Sequence, residues 1–184
     1  ASIHSETLKE IVTDYLMGIN DPKELVLKTM AGIKKSEMES DKKITLTDYV
    51  VDYPFVCNPM PNLYFTRDPF ASIYDGICLN KMYSLTRQRE TIYCEFIFKY
   101  HPVYGGSPLF YSRYDHFNIE GGDIMVLSKE TLIVGVSERT HPSAIERLAK
   151  NLFYANKTAY KRVLAFCIPK YRTFMHLDTI FTQV

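Results

Sequence analysis

The chain has no tryptophan, no CxxC pair, no run near the length of a membrane span and no block of like charge. Each absence removes a class of function. Four cysteines stand at 57, 78, 94 and 167, without zinc-ligand spacing and without flanking histidines. A chain of 184 residues can bury a core without disulfides. Free, mostly buried thiols in a reducing compartment are therefore expected, and with them a cytoplasmic location. No segment approaches the ~20 apolar residues that a bilayer span requires, so no membrane partner is expected. The opening Ala1-Ser2-Ile3-His4-Ser5-Glu6 has neither a basic n-region nor an apolar h-region, so it is not expected to be a signal peptide. It also lacks Met and begins close to a helix, as a fragment would. The net charge is +1, with Lys and Arg scattered among Asp and Glu. That argues against general affinity for nucleic acid or anionic lipid.

What is present is ordinary in bulk. Apolar residues at 46% and charged residues at 23% fit one globular domain with a real core. Fourteen Tyr and eleven Phe select no function by themselves.

The pattern along the chain changes near residue 47. Before it, Leu8, Ile11, Val12, Tyr15 and Leu16 follow helical spacing and Gly18 stops the helix. Asp21-Pro22 starts a second helix that ends near Gly32. Lys34 to Lys43 is charged and aperiodic and reads as a loop. After it, Ile73 and Tyr74, a turn at Asp75-Gly76, and Ile77 to Leu79 predict a hairpin. A helix is expected over about 84–100, carrying Leu85, Ile92, Phe96 and Tyr100. Ile124 to Leu127 and Leu132 to Val136 predict a second strand pair. His141-Pro142-Ser143 opens a helix with Ile145, Leu148, Leu152 and Phe153. Val163 to Ile168 and Phe174 to Phe181 read as strands.

One spacing recurs. Asp68 precedes Arg87 by 19 residues, and Glu120 precedes Arg139 by 19. Each acid stands before a hairpin and each Arg near the start of the next helix. A repeat of about fifty residues, built as strand-strand-helix-strand, would bring such polar groups to a common axis.

Three motifs carry chemistry. In an extended strand His176 and Asp178 project from one face, an acid/base arrangement. A strand-end ion pair or half of a metal site would look the same. Glu120-Gly121-Gly122-Asp123 puts two carboxylates around glycines that allow close approach; a surface turn with acidic flanks is the plain alternative. Asp68, between Arg67 and Pro69, is either paired with Arg67 or held for a cationic ligand. Together these groups suit a planar, multi-donor cation such as a guanidinium, which carboxylates receive in bidentate fashion. A divalent metal would also fit, although it usually wants more His ligands; no metal site is expected.

Those motifs, with Pro61-Asn62-Leu63-Tyr64-Phe65-Thr66-Arg67-Asp68-Pro69-Phe70, Met30-Ala31-Gly32, Arg87-Gln88-Arg89-Glu90-Thr91, Val134-Gly135-Val136-Ser137-Glu138-Arg139-Thr140 and Met175-His176-Leu177-Asp178-Thr179, resemble arginine deiminase, its mycoplasma-like branch in particular. The resemblance implies an α/β pentein, a fan of strand-strand-helix-strand modules around a central site, with an inserted helical domain. Residues 1–46 would be the end of that insertion, and 47–184 two to three modules of the catalytic domain. It implies hydrolysis of L-arginine to L-citrulline and ammonia through a covalent cysteine intermediate, without cofactors. Asp68 and Asp178 would grip the guanidinium. His176 would be the general acid/base, with Glu120 beside it. Arg87 and Arg139 would bind the α-carboxylate, which argues against agmatine as substrate. Asn62 and Phe65 would line the pocket, and Asp123 would contact substrate or support the site. The family's Cys-Met-Ser nucleophile motif is absent from the sequence. The expectation is a fragment, inactive alone, that needs a missing C-terminal segment or a complementary chain. Uncovered apolar faces predict a homo-oligomer. A truncated, non-catalytic paralogue or half of a split enzyme is the alternative.

Overall fold

The computed structural model describes residues 5–38, 46–50, 52–156, 158–171 and 173–182. They belong to two units, Ala1–Tyr64 and Phe65–Val184.

In the first unit, helix α1 (Glu6–Met17) starts where the Ser5 hydroxyl accepts the Leu8 N–H, and Gly18 caps its end. Helix α2 (Pro22–Ala31) starts where Asp21 accepts the N–H groups of Lys23 and Glu24, with Pro22 at the first helical position. Strand β1 (Ile33–Lys34) follows, then a 3-10 turn over Lys35–Met38. Helix α3 (Leu46–Val50) leads to β2 (Phe55–Cys57), which pairs antiparallel with β1. The expected loop from Lys34 is thus structured at its start. Glu37 accepts from Lys28 Nζ at 2.5 Å and from the Tyr15 hydroxyl at 3.3 Å, which ties the turn to both helices. The rest of that loop, 39–43, lies outside the described residues.

The second unit repeats one motif. Strands β3 (Phe70–Ile73) and β4 (Gly76–Leu79) form an antiparallel hairpin, helix α4 (Thr91–Tyr100) follows, and β5 (Leu109–Tyr111) returns parallel to β4. Strands β6 (Ile124–Ser128) and β7 (Thr131–Val136), helix α5 (Pro142–Lys150) and β8 (Arg162–Cys167) do the same. The orders are β3-β4-β5 and β6-β7-β8. A helical crossover is what lets two strands of one sheet run parallel. Side chains from both modules share one core: Ile73, Cys78 and Phe110 pack with Leu132, Val134, Ala144 and Leu148.

Three expectations are corrected. The hairpin turn is Tyr74-Asp75, one residue earlier than expected. Gly76 opens β4 instead, because a Cβ there would lie 2.3 Å from the Pro108 carbonyl oxygen. Helix α4 begins at Thr91, not near 84. Residues 84–90 are consecutive tight turns, since Arg87 and Gln88 turn their side chains inward onto Asp68, Glu90 and the Met82 carbonyl. Phe174 to Phe181 is not a strand. His176 is extended, but Leu177–Thr179 form a 3-10 turn in which Thr179 bonds back to the His176 carbonyl through its N–H and its hydroxyl. Local bonds of this kind compete with a ladder. The two-residue alternation therefore does not apply to His176 and Asp178.

Candidate active site

The repeat delivers its acids to one place. Asp68 ends the segment before β3, and its carbonyl accepts the Asn80 side-chain amide and the Gly121 N–H. Glu120 ends the segment before β6, and its Oε1 accepts the Tyr83 N–H at 2.9 Å. Between the two carboxylates lies the imidazole of His176. Its Nε2 is 2.8 Å from Glu120 Oε2 and its Nδ1 is 3.8 Å from Asp68 Oδ1. All three residues are buried. The glycine pair is explained by this packing. A Cβ on Gly122 would lie 2.6 Å from the His176 ring, and one on Gly121 would lie 2.0 Å from the Arg67 carbonyl oxygen.

The equal spacings become equal ion pairs. Arg87 Nη1 lies 2.8 Å from Asp68 Oδ2, and Arg139 Nη1 lies 3.4 Å from Glu120 Oε2. Each module thus places an arginine on its own acid. Arg87 is buried and has a second carboxylate, Glu90 Oε2, at 2.9 Å from Nη2. The Phe65 ring covers it, with the guanidinium carbon 5.9 Å from the centroid. Arg139 is more open, and its Nη2 rests 3.3 Å from the sulfur of Met175.

Burial by itself lowers the His176 pKa, but the hydrogen bond to Glu120 and the charges of Asp123, Asp68 and Glu120 outweigh it, so the imidazole is held above its ordinary value. Burial by itself raises Glu120; bonds from His176 and the Tyr83 N–H, with the charges of His176 and Arg139, bring it below its ordinary value. Each shift favours the charged form of its group. Asp123 goes the other way. Burial raises it despite bonds from Ser137, Thr140 and the Leu177 N–H and the charge of His176.

Asp178 does not join the buried cluster. It is partly exposed and receives Arg67 Nε at 3.2 Å. So the neighbour pairing of Arg67 with Asp68, favoured locally by the sequence, is replaced by Arg67–Asp178 and Arg87–Asp68. Asp123 is fully buried and its oxygens are taken by Ser137, Thr140 and Leu177 N–H. Asn62 lies in the first unit, half-buried in a turn. Sequence reasoning missed Arg67, Glu90, Ser137 and Thr140. Glu90 had a signal, since it stands one helical turn after Arg87. Thr140 had none beyond following Arg139.

Asp68, Glu120 and His176 offer ligand atoms within 4.8 Å of one another, close enough to hold a metal ion. Arg87 and Arg139 already sit on the two carboxylates, however, and those carboxylates raise the imidazole's affinity for a proton. A metal would have to displace a proton and compete with two guanidinium groups. The donor set suits an organic cation better.

Paired strand-strand-helix-strand modules with this acid–imidazole cluster where they meet define a pentein. A cysteine-to-serine mutant of DDAH from Pseudomonas aeruginosa, complexed with citrulline, has a similar fold: TM-score 0.52 at 20% identity, covering 64% of this chain and 41% of that one. The chain belongs to the arginine deiminase family, whose model matches residues 2–184. It is 53% identical over 186 residues to arginine deiminase of Treponema denticola and 53% identical over 188 residues to that of Streptococcus uberis. Those alignments cover 100% of this chain but 45% and 46% of the relatives, so the chain spans under half their length.

Proposed function

We propose that this chain is the guanidinium-binding and proton-transfer part of an arginine deiminase, and that the thiolate which attacks the guanidinium carbon comes from another segment or chain. The observation that carries the reading is the buried His176 imidazole between two carboxylates, its Nε2 2.8 Å from Glu120 Oε2 and its Nδ1 3.8 Å from Asp68 Oδ1. After attack, the tetrahedral carbon must lose ammonia, and an imidazolium is the group to protonate that leaving nitrogen. Neutral His176 then takes a proton from the water that displaces the sulfur and releases citrulline. Asp68 and Asp178 receive the guanidinium N–H groups. Asp178 already carries a guanidinium, that of Arg67, which supports this role. Arg139, half-open at the edge, takes the α-carboxylate. Arg87 would do so only by giving up Asp68 or Glu90. Phe65 lines the pocket beside Arg87.

Two of the four thiols of this chain are unsuited to nucleophilic attack. Cys78 and Cys94 are buried, and burial pushes the Cys94 thiol up to about 11 and Cys78 well above its ordinary range, so neither is a thiolate at neutral pH. We propose residues 1–46 as the end of a helical insertion and 47–184 as two to three pentein modules. A second copy or a complementary chain would cover the exposed apolar residues of α4, Ile92, Phe96, Ile97 and Tyr100.

The test has two arms. Purified chain should bind L-arginine in calorimetry yet form no citrulline in a colorimetric assay. Turnover abolished by changing one of its four cysteines would overturn the external nucleophile. In an active form carrying the nucleophile, Arg139→Ala should raise KM for arginine. A charge-assisted bidentate contact is worth roughly 1.5–3 kcal/mol, hence on the order of 10- to 100-fold. Equal losses on agmatine, which lacks the carboxylate, would remove Arg139 from that role.

A further inference from the structure

We propose that Asp123 is a positioning residue that sets the hydrogen-bond direction of two hydroxyls and through them fixes Glu120, Arg139 and His176 relative to one another. The proposal rests on the reading of this cluster as a deiminase site.

The geometry is a small closed network. Asp123 Oδ2 accepts the Ser137 hydroxyl and the Thr140 hydroxyl, both at 2.6 Å. Each hydroxyl has one proton, and giving it to the carboxylate leaves only lone pairs. Those lone pairs are used. Thr140 Oγ1 accepts the Glu120 N–H at 3.2 Å. Ser137 Oγ accepts the N–H groups of Arg139 at 3.0 Å and Thr140 at 3.1 Å. Asp123 Oδ1 accepts the Leu177 N–H at 2.9 Å, next to His176. One buried carboxylate thus governs the backbone at Glu120, Arg139 and Leu177, in three segments 120–123, 137–140 and 176–179. A neutral amide in its place would not impose that direction, because it presents a donor as well as an acceptor.

The surroundings are shaped to keep Asp123 in place. Gly135 on β7 leaves it room, since a Cβ there would lie 2.5 Å from its Oδ1. Asp123 is fully buried and touches no open surface. A substrate therefore does not reach it, and its effect must pass through the groups it holds. The charged groups that face His176 are Glu120, Asp68 and Asp123, with Arg139 and Arg87 behind the first two and the Arg67–Asp178 pair alongside.

The test follows the His176 ring by NMR titration in the whole chain without arginine, with the signal assigned by its loss in His176→Gln. In Asp123→Asn, His176 should titrate at lower pH than in wild type. Thr140→Val keeps the charge but removes the acceptor for the Glu120 N–H, so the Glu120–His176 contact loosens and the midpoint should fall again. Thr140→Ser restores the hydroxyl and should restore the wild-type midpoint. A folded Thr140→Val chain titrating like wild type would overturn the proposal, whether or not Asp123→Asn folds. Arginine is then added to the wild type. Failure of arginine to move the His176 signal counts against the deiminase reading, while the midpoints still decide the role of Asp123.

Discussion

Arg87 illustrates what a residue can and does not reveal before folding. Its 19-residue distance from Asp68 is visible in the sequence and becomes a 2.8 Å ion pair. Its second acid, Glu90, stands three residues on, and the turns over 84–90 aim both side chains inward. Three charges are therefore buried together, two negative around one positive. Removing the positive one leaves two carboxylates facing each other out of water. Arg87→Ala should destabilise the chain by roughly 3–5 kcal/mol, the cost of breaking a buried pair. Urea unfolding with an unchanged m-value is the measurement. Adding Glu90→Gln should recover part of the loss. A loss below ~1 kcal/mol would mean that the triad is solvated in solution. Arg67 gives the opposite lesson. Adjacency in sequence made Asp68 its obvious partner, yet in the turn over 66–69 Arg67 pairs with Asp178 while Asp68 takes Arg87.

At the scale of elements, periodicity worked where a segment buries a regular face. Helix α5 starts at His141-Pro142-Ser143 as read, with His141 Nδ1 accepting the Ser143 N–H, and buries Ala144, Ile145 and Leu148. Periodicity failed where polar side chains reach into the site: at 84–90, through Arg87 and Gln88, and at 176–179, through His176 and Thr179. Those are the segments that build the site, so local rules lost to tertiary contacts there. The motif residues were still legible, because their chemistry is conveyed by residue type and spacing and not by secondary structure. Ser137 and Thr140 were not, because a hydroxyl on the page looks the same whether it faces water or a buried carboxylate. Leu148 tests the shared core. It is fully buried between the two modules. Leu148→Ala should cost about 2–5 kcal/mol, as a cavity in a packed core does. If both modules unfold in one transition, circular dichroism and tyrosine fluorescence should shift together. Separate midpoints would show that the core does not couple them.

For the whole molecule, the His176–Glu120 pair and Asp123 set a pH dependence of stability. Among the described residues no helix is long and apolar enough to cross a membrane. His176 is held above its ordinary 6.5 in the folded state. Its contribution is fully present below pH 6.5 and is lost as pH rises through the folded-state value. Glu120 is held below its ordinary 4.5. Its contribution is present above pH 4.5 and is lost as pH falls through its folded-state value. Asp123 is held above its ordinary 3.8, so its burial counts against folding as pH rises past that value, which blunts the acid limb. The melting temperature should therefore be highest between pH 4.5 and 6.5 and decline above it. A change of ~1 kcal/mol moves Tm by about 2–4 °C in a chain of this size, which scanning calorimetry resolves. His176→Gln should be less stable at pH 6.5 and should lose the decline between there and the folded-state value. An equal decline in that variant would assign the alkaline limb to another group and remove the buried imidazolium from the account.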